Sequence, residues 1–335
     1  MSGTRVRELA FAAGVLRRRV VQCLVQVTNR CNMQCTFCDF WPNGVPASEE
    51  LSAAEWRGVA VQLARLGRCV VSIEGGEPFV RPDLVEIVRA FAADHLPLLF
   101  TNGWYVDAAA ARALFAAGLT QVGVSIDFSD AARHDAQRRL PGAFARAWRA
   151  VDAFRAAAPH GGRQVHVMTV LMEDNQHDLD ALVAQSAARG VGHSVTLLSR
   201  TGFRRTDARR LPAPPVGARL RALWRSHPHL RTFGDYLEGI DAFLGGGALP
   251  ACHAGVQSFN VDHVGNVSAC IEKIDRPAGN VRHEPLAVIH ARLRARDDAA
   301  GCQDCWTACR GFAQALGEGG TWGAWRDLAG RMRSA

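Results

Sequence analysis

Lysine is almost missing from this chain. Lys273 is the only one, so arginine carries nearly all of the positive charge behind a net charge of +7. An alanine- and arginine-rich surface can reflect GC-biased coding as readily as an anionic partner. No arginine cluster is interleaved with aromatic residues, which argues against a nucleic-acid-binding module. Long apolar runs are missing too. The patch at 9–16 is far short of a membrane span, and Arg17-Arg18-Arg19 follows it with no small-residue cleavage site. That excludes a signal peptide and leaves an N-terminal amphipathic segment, residues 1–20, covering one end of the fold. The alternative for it is a weak contact with a membrane surface through the arginines. No solenoid repeat or low-complexity linker interrupts the chain. With 48% hydrophobic and 21% charged residues, its 335 residues have ample material for a large core.

Cysteine, by contrast, is abundant. There are ten, eight of them in two groups. Without an export signal they do not read as a disulfide framework, and a reducing cytoplasm is the compartment that would keep them as metal ligands. The first group is Cys31, Cys35 and Cys38, spaced C-x3-C-x2-C in CLVQVTNRCNMQCTFCDFW, just after a short β-branched run at 24–28 that reads as a buried strand. Three thiolates on one loop can converge on one inorganic centre but cannot fill four positions, so one metal position stays open to another ligand. A structural zinc site would need a fourth ligand.

The remaining pattern alternates strand and helix. Ser52 and Glu55 form a capping box before a helix reaching about Leu66. Strands are expected at 69–74, 97–101, 121–126, 165–171 and 193–198, separated by helices at 82–93, 107–117, 130–137, 143–158 and 178–189. Six alternating strands predict an α/β fold with a parallel sheet, with function at the loops after the strands. The segment 206–250 reads as a helical connector with helices near 217–226 and 235–244, ending at Gly245-Gly246-Gly247. From 251 to 335 the pattern becomes strand–turn–strand, with strands at 258–261 and 266–269, and a small C-terminal β-hairpin/helix domain is expected.

Gly75-Gly76-Glu77-Pro78 follows the second strand. Its glycines would let a ligand approach the backbone, and Glu77 could accept from an ammonium group. Together with the three-cysteine loop one strand earlier, these residues resemble the radical S-adenosylmethionine (radical SAM) superfamily. The resemblance implies a partial (β/α)6 TIM-like barrel over residues 21–205. It implies a [4Fe-4S] cluster on Cys31, Cys35 and Cys38, and S-adenosyl-L-methionine at Gly75, Gly76 and Glu77. Thr101-Asn102-Gly103 looks like the family's polar motif after the third strand. Ser125 and Asp127 look like its fourth-strand pair near the ribose and methionine, and Arg138 like an arginine near the cofactor carboxylate. Reductive cleavage to a 5′-deoxyadenosyl radical, which takes hydrogen from the substrate, is the implied chemistry. A reducing partner such as flavodoxin or ferredoxin would supply the electron.

The second group is Cys252, Cys270, Cys302, Cys305 and Cys309, with Gly265 giving C-x12-G-x4-C and the last three C-x2-C-x3-C. It resembles the SPASM and twitch extensions of radical SAM enzymes, including Gly279-Asn280-Val281. The full two-cluster pattern needs seven cysteines here, so one auxiliary [4Fe-4S] cluster is expected. Cys252, Cys270, Cys302 and Cys305 make the twitch-like set, and Cys309 either replaces one of them or acts on substrate. Zinc satisfies the same thiolates. Cys23 and Cys69 fall within strand patterns and read as core, as do Trp306, Trp322 and Trp325 by default.

The first functional reading is oxidation or rearrangement of a small-molecule or lipid-like precursor. A barrel starting near residue 21 leaves no room for an N-terminal peptide-recognition domain. The alternative is a maturase acting on a ribosomally made peptide. A different class again is a non-catalytic iron–sulfur or zinc protein, which would not need Gly75-Gly76-Glu77 beside the open-position loop.

Overall fold

The computed structural model describes residues 3–159, 164–202, 205–206, 209–296, 298–299 and 301–333. Six parallel strands form its centre: β1 (Gln22–Thr28), β2 (Val70–Gly75), β3 (Leu96–Thr101), β4 (Gln121–Ser125), β5 (Val165–Leu171) and β6 (Gly192–Leu197). Helix α1 (Gly3–Leu16) precedes them. Between them run α2 (Ala53–Leu66), α3 (Leu84–Ala92), α4 (Ala108–Ala116), α5 (Ala131–Arg138), α6 (Ala143–Ala157) and α7 (Leu179–Ala188). This is the parallel α/β sheet expected from the alternation and the partial TIM-like barrel implied by the resemblance, and its sheet is not closed. The capping box at Ser52 and Glu55 is formed in both directions.

β1 is an interior strand of a longer sheet, ordered β6-β5-β4-β3-β2-β1-β7-β8-β9. The hairpin strands β7 (Ser258–Val261) and β8 (Asn266–Ser268), then β9 (Gly279–Asn280), extend the barrel sheet directly, with β7 parallel to β1. A strand covered on both faces and paired on both edges must be buried throughout, and all seven residues of β1 are. Its alternation still matters. Cys23, Val25 and Val27 join the core formed with Trp56 and Leu63 of α2. Gln22 and Gln26, on the opposite face, accept hydrogen bonds from Ser258 (3.3 Å) and Asn260 (3.2 Å) of β7.

After the barrel come α8 (Val216–Ser226) and α9 (Gly234–Leu244). The C-terminal stretch adds α10 (Leu286–Arg296), α11 (Ala308–Leu316) and α12 (Trp322–Arg333), helices of the expected β-hairpin/helix region whose bounds the sequence pattern did not give. Helices α1, α8, α9 and α11 share a second core with β6, built on Phe11, Val15, Leu220, Leu237, Trp306 and Leu316. Helix α1 contributes Phe11 and Val15 to this core. The tryptophans divide: Trp306 is buried and stacks on Tyr236, Trp325 is half-buried, and Trp322 is 82% exposed. Cys23 and Cys69 are fully buried, consistent with core roles. No helix among the described residues is long and apolar enough to cross a membrane.

Candidate functional site

The groups singled out from the sequence gather at the carboxyl-terminal ends of β1 to β4. Cys31, Cys35 and Cys38 lie on the loop leaving β1, and none of the ten cysteines is in a disulfide. Met33 N–H donates to Cys31 Sγ (3.4 Å), and Asn102 Nδ2, from the end of β3, reaches the same sulfur at 4.0 Å. Arg138, at the end of α5, donates to Cys35 Sγ at 3.7 Å and lies over the Phe37 ring. Donors aimed at thiols suit sulfur that carries negative charge. Burial pushes Cys31 up to about 12 and raises Cys35, where Arg138 opposes it. Such thiols stay protonated until a metal displaces the proton, so ligation would release protons. Among the described residues, no three His, Cys, Asp or Glu side chains are already drawn into a metal-holding group. The donor chemistry nevertheless fits a thiolate-held cluster with an open position.

Gly75 and Gly76 have a reason beyond ligand approach. Gly76 N–H donates to the Thr28 carbonyl (2.7 Å) and Glu77 N–H to the Arg30 carbonyl (3.0 Å). A Cβ at Gly75, whose φ is +130°, would sit 2.1 Å from the Thr28 oxygen, and one at Gly76 2.2 Å from the Arg30 oxygen. The two loops therefore interlock backbone to backbone, which only glycine permits. Glu77 is buried and accepts from Phe79 N–H (3.0 Å), Thr101 Oγ1 (2.7 Å) and Asn102 N–H (2.7 Å). Burial nonetheless lifts its carboxyl to about 7, against the pull of those donors.

Ser125 closes β4 half-buried, opposite Met168 in register. Asp127 and Arg138 form a buried ion pair, and Asp127 also accepts from Val170 N–H (2.9 Å). Arg138 Nε has no hydrogen-bond partner, which leaves a buried donor on the guanidinium that joins Asp127 to Cys35. An unpartnered buried donor suits an anionic ligand group there.

One carboxylate central to this arrangement was not legible in the sequence. Glu50, almost fully buried, accepts from Thr28 Oγ1, from Arg30 Nε (3.0 Å) and Nη2 (2.9 Å), and from Arg81 Nη1 (3.2 Å). Arg81 also donates to the Val27 and Leu51 carbonyls and pairs with Asp83. The end of β1, the cysteine loop and the turn after Gly75-Gly76-Glu77 are thereby tied to one anion. Its partners lie 20 and 31 residues away along the chain, so no local spacing marks it.

All five late cysteines line one small apolar cavity between the hairpin, the loop after α10 and α11. A small apolar cluster of Leu24, Phe40 and Ile271 lies between the two cysteine groups, with Cys38 and Cys309 both packed against it. Burial raises Cys270 strongly and lifts Cys305 to about 12; neighbouring thiols add to both shifts.

Comparison with known proteins places this geometry. The model of the radical SAM superfamily matches residues 25–185. The mycofactocin maturase MftC of Mycobacterium ulcerans is 31% identical over 308 residues, covering 87% of this chain and 82% of that protein. The GTP 3′,8-cyclase of Erythrobacter litoralis is 33% identical over 226 residues, covering 62% of this chain and 63% of that protein, so the match spans less than two-thirds of its length. Among solved structures, SuiB of Streptococcus suis superposes with a TM-score of 0.64 at 16% identity, covering 82% of this chain and 66% of that one. The AdoMet-bound anSMEcpe superposes with a TM-score of 0.62 at 14% identity, covering 94% and 96%. At these identities the structures show the fold.

Proposed function

Because the chain belongs to the radical SAM superfamily, whose enzymes use a [4Fe-4S] cluster and S-adenosylmethionine, we propose that it is a peptide-modifying member, oxidising or cross-linking a ribosomally made substrate. The observation that carries this is the similarity to a mycofactocin maturase along 87% of the chain. That supports the peptide reading by identity and coverage together: the cyclase relative matches 62% of the chain, and an AdoMet-dependent heme synthase that matches 84% is 26% identical. The bound cofactors supply a 5′-deoxyadenosyl radical able to take hydrogen from an unactivated carbon.

The protein's own residues do the positioning. Cys31, Cys35 and Cys38 would hold the cluster and leave one iron open. Met33 N–H and Arg138 would stabilise charge on the sulfurs. Glu77 would accept from the cofactor ammonium group, and the buried Nε of Arg138 would meet its carboxylate. Asn102 bridges to Asn32 (2.9 Å) and holds the cysteine loop against the end of β3. Ser125 and Asp127 would meet the ribose and methionine end. The late cysteines would hold a second iron–sulfur centre that could take an electron from the substrate radical, making the net reaction an oxidation.

The test is incubation of the reconstituted, reduced enzyme with the product of any short gene adjacent to its own. The expected result is a peptide lighter by a pair of hydrogens, formed with 5′-deoxyadenosine. Turnover of a nucleotide or lipid instead, with every such peptide unchanged, would overturn the peptide reading.

A further inference from the structure

Residues 49–52, between the cysteine loop and α2, lie in neither helix nor strand, so their backbone needs partners from elsewhere. The C-terminal region supplies them. Arg282, two residues past β9, donates from Nη1 to the Glu49 carbonyl (3.0 Å) and from Nη2 to the Glu50 carbonyl (3.1 Å). The carbonyl of His263, in the turn between β7 and β8, accepts from Leu51 N–H (2.7 Å). Three consecutive backbone positions are therefore gripped by residues far later in the chain.

Arg282 is itself fixed at both ends. Its own N–H donates to Asn280 Oδ1 (2.9 Å). Its Nε pairs with Glu55 Oε1 (2.7 Å), on the carboxylate that closes the capping box of α2. The fit around it is close. A Cβ at Gly265, in the hairpin turn, would lie 2.9 Å from Asn280 Oδ1 and 3.3 Å from a Leu51 methyl carbon.

What this grip holds is the buried carboxylate of Glu50. That carboxylate accepts from Arg30 and Arg81, and Arg81 returns to the Leu51 carbonyl (2.9 Å). Arg30 directly precedes Cys31, and its carbonyl accepts from Glu77 N–H (3.0 Å). Consecutive hydrogen bonds thus lead from Arg282 to the first cysteine of the loop and to Glu77. The side chain of Arg282 is 32% exposed, so its ion pair with Glu55 adds little to stability. Its fork onto two successive carbonyls is a geometric constraint, which the single ammonium of a lysine would not reproduce.

We propose that Arg282 is a positioning residue for the first centre. Through the backbone of Glu49 and Glu50 it sets where the Glu50 carboxylate holds Arg30, and so where the cysteine loop meets Glu77. The C-terminal region thereby acts on S-adenosylmethionine binding by a route that uses none of its cysteines. This is independent of the substrate class proposed above.

The test compares the reconstituted full chain with Arg282→Ala and Arg292→Ala. Arg292 is the control, because it belongs to the same region but its hydrogen bonds go to Glu284 and the Ala278 carbonyl. Two readouts are taken: the dissociation constant for S-adenosylmethionine, and hydrogen exchange at the Gly76 and Glu77 amides, which donate to the Thr28 and Arg30 carbonyls. Arg282→Ala is expected to bind about tenfold more weakly and to exchange about tenfold faster at these amides. Arg292→Ala is expected to match the wild type in both, even where its melting temperature falls. In a Glu50→Gln background, Arg282→Ala is expected to add less than about a twofold further loss of affinity, since the route is already cut. Wild-type values for Arg282→Ala, or an equal change in Arg292→Ala, would overturn the assignment. So would a further tenfold loss in the Glu50→Gln background. The first comparison stands whether or not Glu50→Gln folds, and the exchange readout needs no turnover.

Discussion

Arg138 and Glu77 show how single buried groups set the character of this site. Arg138 neutralises Asp127 and donates to Cys35, so its removal strands a fully buried carboxylate. Arg138→Ala is expected to cost about 3–5 kcal/mol of unfolding free energy in urea. The Arg138→Met, Asp127→Asn double variant is expected to recover part of that loss, and a double variant no more stable than the single would contradict the pairing argument. Glu77 is the pH-sensitive group. Its folded value near 7 lies above its ordinary 4.5, so the folded chain holds a proton that the unfolded chain has released between these values. The stability it contributes is present below pH 4.5 and lost as pH rises through about 7, up to roughly 3 kcal/mol. Melting of the metal-free protein across this range should show that decline, and Glu77→Gln should flatten it. Binding of a cofactor ammonium group favours the carboxylate, so affinity for S-adenosylmethionine should weaken as pH falls below about 7.

Between elements, the tightest fit is the contact of the cysteine loop with the end of β2. Because a methyl at position 76 would overlap the Arg30 carbonyl, Gly76→Ala must push the cysteine loop away. We expect reconstituted iron to fall by about four per chain while the far-UV spectrum stays near wild type, since the core under α2 and α3 does not pass through this contact. Unchanged iron and cofactor affinity would show that the loops need not interlock. Much at this level was legible in the sequence. β5 and β7 fall at their predicted bounds, because β-branched runs between turn residues leave little choice of period. The capping box marked the start of α2 for a local reason as well. By contrast, α11 and α12 were not delimited. They lie among closely spaced cysteines, glycines and tryptophans, and α11 is helical because Phe312, Ala315 and Leu316 are packed into the second core. The Glu50 network was invisible for a related reason: an ion pair between distant loops leaves no periodic trace. Glycines at 75 and 76 pointed to the right place with an incomplete reason, since spacing does not distinguish a ligand's approach from that of a neighbouring strand end.

Across the whole molecule, one sheet joins the two cysteine groups. β7 pairs with β1, so the hairpin carrying Cys270 is built on the same strand that launches Cys31, Cys35 and Cys38. The apolar cluster of Leu24, Phe40 and Ile271 fills the space between, with Cys38 on one side and Cys309 on the other. This continuity sets the C-terminal cysteines beside the loop that carries the first group. The central claim is that the β1 loop holds a cluster with an open iron at which S-adenosylmethionine is split. Its most direct test is release of 5′-deoxyadenosine by the anaerobically reconstituted protein on addition of dithionite, compared with Cys31→Ala. The account predicts dithionite-dependent release from the wild type and none from the variant. A wild-type protein fully loaded with iron that leaves S-adenosylmethionine intact, or a variant that cleaves it equally well, would contradict it.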